Sequence, residues 1–150
     1  MYPILAIDYG EKNFGLAISD SKGIVASPLE VISITKNRGI QIIIEEIVEI
    51  AKENRAKTIL VGKPQSFTDK QKKTEEKIEK FINLLRKATE IEILTWDESF
   101  STTNAQNMLT SLGQNSKSSR RKIDKIAATV FLQEFLNSKN KKNESRKKRI

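Results

Sequence analysis

The chain has 150 residues, 37% of them hydrophobic and 31% charged, with a formal net charge of +8. This suffices for one domain with a real core and is too short for two. Cysteine and histidine are both absent, which excludes disulfides, thiolate nucleophiles, Ser-His-Asp triads and Cys- or His-ligated metals. Enzyme chemistry here must rest on carboxylates, Lys or Tyr, and a catalytic metal must be a hard cation held by oxygen, magnesium or manganese.

Tyr2 to Asp8 is an apolar run ending in a carboxylate, followed by turn composition over Tyr9 to Asn13 and a second apolar run, Phe14 to Ser19. Asp20-Ser-Lys-Gly23 is another turn, and Ile24 to Ile34 is rich in Val and Ile. These three segments are predicted to form an antiparallel meander. Ile40, Ile43, Ile44, Ile47, Val48 and Ala51 recur at helical spacing. Thr58 to Gly62 reads as a buried strand. A second amphipathic helix follows, with Ile78, Phe81, Ile82 and Leu85 on one face, and Ile91 to Trp96 is a fifth strand.

Thr103-Asn-Ala-Gln106 has capping-box spacing and opens a helix through Met108, Leu109 and Leu112. A polar loop, Gly113 to Ser119, leads to a last helix from Arg120 to Leu136, with Ile123, Ile126, Ala127, Val130, Phe131 and Leu136 inward. Residues 1–136 then form one domain and 137–150 a basic, disordered tail. The order is βββαβαβαα. Strands separated by helices pair in parallel through right-handed crossovers, so the expectation is a mixed five-stranded α/β sheet.

No apolar run approaches the ~20 residues of a membrane span, and no presequence fits ahead of the first strand. The expectation is a cytoplasmic protein with no membrane partner. The positive charge is clustered. Residues 137–150 carry seven Lys/Arg against Glu144, and Lys117 to Lys125 carries five against Asp124, leaving −2 for the remainder. Such clustering is the footprint of a polyanion partner, nucleic acid above all.

Ligands of open α/β sheets sit at the carboxyl ends of parallel strands. Asp8, Gly62 and the pair Asp97-Glu98 end three of the strands and should share one edge. Glu11 and Lys12 join them in the hairpin, whereas Asp20 should lie at the opposite edge as a turn residue. Asp124 falls in the first turns of the last helix, beside the small residues Ala127 and Ala128. As a structural acid it would serve the helix dipole. If Asp8, Glu98 and Asp124 meet, their mutual repulsion requires a divalent cation. Two such cations are the usual device for cleaving a phosphodiester with activated water.

Ile7-Asp8-Tyr-Gly10, Lys12-Asn-Phe-Gly15-Leu-Ala17, Val61-Gly62-Lys-Pro64, Asp97-Glu98-Ser-Phe-Ser101-Thr102-Thr103 and Ile123-Asp124-Lys-Ile-Ala127-Ala128 together resemble the YqgF family, over about residues 2–136. That family has a ribonuclease-H-like fold with helices on both faces of the sheet. It is described as Holliday-junction resolvases and as nucleases maturing the 5′ end of precursor 16S ribosomal RNA. The resemblance implies that Asp8, Glu98 and Asp124 are the catalytic metal ligands, with Asp124 holding the attacking water. The chain departs from the family at Ser99, usually Arg, and at Asn13, often basic.

Lys12, the Thr102 and Thr103 hydroxyls, and Arg120, Arg121 and Lys122 are the candidate phosphate contacts; the two threonines also suit a plain helix cap. The reading is a magnesium- or manganese-dependent endonuclease acting on precursor rRNA or branched DNA. A sugar-kinase-like ATP-binding protein shares the Ile-Asp-x-Gly loop but needs two such domains. A non-catalytic ribosome-assembly factor would keep the fold without cleavage. Oligomeric state is not readable from these residues.

Overall fold

The computed structural model describes residues 1–63, 69–97 and 126–140. The strands are β1 (Ile4–Asp8), β2 (Asn13–Ser19), β3 (Ala26–Ser33), β4 (Thr58–Lys63) and β5 (Glu92–Asp97). The helices are α1 (Ile40–Glu53), α2 (Asp69–Ala88) and a final helix α3 over residues 126–140. The five strands form one sheet in the order β3-β2-β1-β4-β5. β1, β2 and β3 pair antiparallel, while β1–β4 and β4–β5 are parallel. The expected mixed sheet, meander on one side and parallel strands on the other, is the observed one. The helix expected after Thr103, the loop Gly113 to Ser119 and the start of the last helix lie outside the described residues.

β1 is central because it is apolar on both faces. Ile4, Leu5, Ala6 and Ile7 are all fully buried, as a strand covered on both sides must be. Leu5 and Ile7 join Phe14, Leu16, Ile59 and Val61 beneath Ile43, Ile44 and Ile47 of α1 and Ile78, Phe81, Ile82 and Leu85 of α2. Ile4 and Ala6 face the other way, with Ala17 and Leu60, against Ala128, Phe131, Leu132, Phe135 and Leu136 of α3. α1 and α2 therefore cover one face and α3 the other, each helix burying the stripe that its 3.6-residue period supplies.

Two boundaries differ from expectation for visible reasons. β3 begins at Ala26 rather than Ile24, because the Asp20 carboxylate accepts the N–H groups of Ile24 (2.7 Å) and Val25 (3.1 Å). That prolongs the turn and leaves Ile24 and Val25 about half exposed. The last helix continues past Leu136 to residue 140, so the chain beyond 136 is not all unstructured. Gln133 donates to Asn137 Oδ1 (3.1 Å), Asn140 donates to the Gly23 carbonyl (3.2 Å), and the Lys139 ammonium sits 5.4 Å from the Phe135 ring centroid. Among the described residues, no helix is long and apolar enough to cross a membrane.

Asp20 occupies the edge opposite Asp8, as expected of a turn residue. Its carboxyl is held below the usual carboxylate range, chiefly by the Ile24 N–H and then by that of Val25. A depressed pKa contributes stability above the unfolded value near ~3.9, lost as pH falls through the folded one. Wild type should therefore melt above Asp20→Asn at neutral pH, and the gap should close below about pH 4. A gap that persists in acid would separate the turn from the charge.

Candidate active site

The parallel strands bring their carboxyl ends to one edge. Asp8 is in register with Gly62, Gly62 with Trp96, and Lys63 with Asp97. On its other side Asp8 faces Gly15 of β2. Strand alternation carries Asp8 to the same face as Ile4 and Ala6, the face of α3. The half-buried Asp8 thus stands between two glycines, with no side chain projecting from either neighbouring strand at its own level. Neither neighbouring strand therefore sets a side chain beside the carboxylate, and carboxylate oxygen is the preferred donor of a hard cation.

The residue after Asp8 points to the other face and is clamped there. The Tyr9 ring lies edge-on to Phe14 at 5.3 Å and 5.3 Å from Phe81, and Phe14 stacks on Phe81 at 5.2 Å. Burial pushes the Tyr9 hydroxyl pKa upward, with Lys77 opposing and Glu11 assisting. Lys77 Nζ donates to Glu11 Oε1 at 3.0 Å, and Lys63 pairs with Glu79. Two ion pairs thus tie the β1–β2 hairpin and the end of β4 to α2. Both are exposed and contribute little energy singly, but they orient the edge.

The hairpin itself is tight. A Cβ on Gly10 would meet the Asn13 carbonyl oxygen at 2.3 Å, so only glycine fits. The Lys12 carbonyl accepts the Ile34 N–H (2.7 Å), and Ser33 Oγ donates to Asn13 Oδ1 (2.6 Å). Lys12 is exposed at the tip of this hairpin, on the edge that carries Asp8. Asn13, which stands where the family is often basic, fastens β2 to β3.

The structure thus brings Asp8, Lys12 and the end of β5 to one edge. Glu98, Thr102, Thr103, Arg120, Arg121, Lys122 and Asp124 lie outside the described residues, and among the described residues no three acids cluster around a metal-sized space. Glu98 follows Asp97 directly in the chain, and Asp124 precedes residue 126 of α3 by two. Gln133 bonds the Ala26 N–H (2.9 Å) and the Ile24 carbonyl (2.9 Å), and Asn140 bonds Gly23, tying the C-terminal half of α3 to the edge opposite Asp8. Running back from Gln133 to residue 126 covers ~10 Å, away from that anchor. Trp96, beyond Gly62 from Asp8, packs its ring edge-on against Phe135 at 5.5 Å, and its buried indole N–H has no hydrogen-bond partner among the described residues.

Sequence reasoning did not find the glycine flanks, the aromatic clamp on Tyr9 or the two ion pairs. Gly15 and Gly62 are visible in the sequence, but only the register reveals that they face Asp8 from both sides.

The family model described as "RuvX: Holliday junction resolvase" matches residues 2–138. A protein of Fusobacterium nucleatum named "Putative pre-16S rRNA nuclease" is 40% identical over 137 residues, covering 90% of this chain and 96% of that one. A Bacillus thuringiensis protein of the same name is 38% identical over 136 residues, covering 91% and 98%. Among solved structures, Thermus thermophilus RuvC in complex with a Holliday junction substrate aligns over 91% of this chain and 94% of that one, at a TM-score of 0.58 and 15% identity. That likeness shows a shared fold, the ribonuclease-H-like sheet anticipated from the motifs. A match over nearly the whole chain places this protein in the RuvX family of nucleases.

Proposed function

We propose that this chain is a metal-dependent endonuclease that hydrolyses phosphodiester bonds in the 5′-end processing of precursor 16S rRNA. The observation that carries the reading is Asp8, held at the carboxyl end of the central strand with Gly15 and Gly62 in register on either side, so that neither neighbouring strand sets a side chain beside the carboxylate. The relatives' names supply the RNA. Asp8, Glu98 and Asp124 are the residues that would hold magnesium or manganese. When bound, the cation supplies Lewis-acid stabilisation of the phosphoryl oxygens and acidifies water.

The chain's own residues do the rest. The carboxylates accept hydrogen bonds from the attacking water and align it opposite the departing sugar oxygen. Lys12, with Thr102, Thr103, Arg120, Arg121 and Lys122, binds the phosphates flanking the cleaved bond. The basic segments at 117–125 and 137–150 add sequence-independent attraction to the same polyanion.

A second reading, cleavage of branched DNA, is favoured by the description of the matching family model. Magnesium-dependent cleavage of precursor 16S RNA and of a four-way DNA junction, assayed side by side, decides between them. Cleavage of the RNA alone is expected; cleavage of the junction alone overturns the first reading, and cleavage of neither overturns both. Metal binding has its own readout. Trp96 is the sole tryptophan and lies two strands, ~10 Å, from Asp8. Paramagnetic manganese should quench its fluorescence in wild type, and in Asp8→Asn only at much higher concentration. Equal quenching curves would remove Asp8 from the metal site.

A further inference from the structure

At the opposite edge of the sheet, α1 and α2 end side by side before β4 and β5 begin. Between their C-terminal ends lies a cavity of about 590 Å³ whose lining includes Lys52, Arg86, Lys87, Thr89 and Glu90. Three cations against one acid leave it positive. Three basic side chains elsewhere are matched: Arg38 pairs with Glu46, Lys63 with Glu79 and Lys77 with Glu11. Among the described residues Lys52, Arg86 and Lys87 form no such pair, although Glu90 lines the same cavity. Thr89 Oγ1 accepts the Ile91 N–H (3.2 Å), which leaves its hydroxyl proton free to be donated.

Basic residues in the last turn of a helix ordinarily serve the dipole of that helix. That role accounts for Lys52 on α1 and for Arg86 and Lys87 on α2, each on its own helix. It does not account for the convergence of two helices' cations on one concave space. An oxyanion there would be met by an ammonium from one side, a guanidinium and a second ammonium from the other, and a hydroxyl donor between them.

We propose that this cavity is a second binding site for nucleic-acid sugar–phosphate backbone, remote from the cleavage edge. The proposal rests on the nuclease reading above. Four residues of β4, ~13 Å, separate the start of that strand from Gly62 beside Asp8. With the connecting loops the two sites stand on the order of 20 Å apart, about six steps of a duplex at 3.4 Å each. The two sites lie at opposite edges of the sheet and toward opposite faces. A structured nucleic acid must therefore pass around the flank of the domain to reach both, and an oligonucleotide of three nucleotides reaches only one. The site would thus select for substrates with a helical stem beside the cleaved strand.

The test compares the full chain with two variants that each remove three positive charges. One is Lys52→Ser/Arg86→Ser/Lys87→Ser. The other is a control, Lys22→Ser/Lys36→Ser/Lys80→Ser, at cations away from the cavity that likewise have no ion pair among the described residues. Binding to a 20-base-pair RNA hairpin and to a three-nucleotide RNA is titrated in magnesium-free buffer at several salt concentrations. The cavity variant should lose on the order of tenfold in hairpin affinity, and its salt slope should fall by about 2 to 3. The control should lose less than about threefold, and three-nucleotide binding should be the same in both variants. Equal losses of hairpin affinity in the two variants overturn the site while leaving the nuclease reading intact. A loss on the three-nucleotide RNA as large as on the hairpin does the same, since the charges would then act at the cleavage edge. Wild type that binds neither RNA overturns the nucleic-acid reading and this site with it.

Discussion

Asp8→Asn should lower phosphodiester cleavage by at least ~1000-fold in a protein that remains folded. The substitution keeps the shape of the side chain and removes its charge, so the flanking glycines and the clamp on Tyr9 are undisturbed. In metal-free buffer the variant should melt no lower than wild type if Glu98 and Asp124 join Asp8 as proposed, because carboxylates so gathered repel one another until a cation arrives. Asp20→Asn is the control: same chemistry, opposite edge, activity retained. Near-full activity in purified Asp8→Asn would refute the assigned site. Lost activity together with lost folding would instead make Asp8 a structural residue. Circular dichroism on the same samples separates the two outcomes.

Phe81→Ala should destabilise the protein by about 3–5 kcal/mol. Phe81 is 2% exposed, stacks on Phe14 and holds Tyr9 at 5.3 Å. Its removal leaves a void shared by α2, β2 and the hairpin, and rings anchored in other elements cannot collapse into it. For a chain of this size that is a fall in Tm of roughly 10–15 °C. Ile42→Ala, at an exposed position of α1 (40%), should change stability by no more than about 0.5 kcal/mol. A Phe81→Ala loss below about 1 kcal/mol would mean that the ring is not part of the core. At temperatures where the variant is still folded, its nucleic-acid affinity should also fall, since Tyr9 steadies the hairpin that presents Lys12.

Most of this architecture was legible because hydrophobic periodicity is a strong signal where both faces of an element are decided. The stripe Ile43, Ile44, Ile47, Val48 and Ala51 is buried as its spacing requires, and the fully apolar Ile4 to Ile7 could only be a central strand. The turn at Asp20 was read from composition, but not its length, because nothing in Ile24-Val25 announces that their N–H groups go to a carboxylate instead of a ladder. The end of the last helix was misjudged for a related reason. Asn137 and Asn140 look like loop residues, and only their hydrogen bonds to Gln133 and Gly23 explain a continuing helix. At the edge, Asp8 stood out because a carboxylate ending an apolar strand is conspicuous. Its surroundings did not, because which residues face it depends on register, and register is set by the packing of the whole sheet.

The position of β1 has a consequence for how the chain comes to be folded. The strand made first is the middle one, and its parallel partner lies far along the sequence: Asp8 meets Gly62 fifty-four residues later. During synthesis the meander of β1, β2 and β3 can close on itself through short turns. The flank of β1 that β4 will occupy must then wait until α1 has emerged and β4 has docked. Closing a loop of that length carries an entropic penalty that grows only slowly with size, but pairings so distant slow folding. In the interval the nascent chain presents an apolar strand, Ile4 to Ile7, with a row of unpaired backbone groups along one side. Such an open edge invites other chains. Four of the six Ile residues of α1, at positions 40, 43, 44 and 47, belong to the first segment able to cover one face of that strand, ahead of the partner that seals its flank.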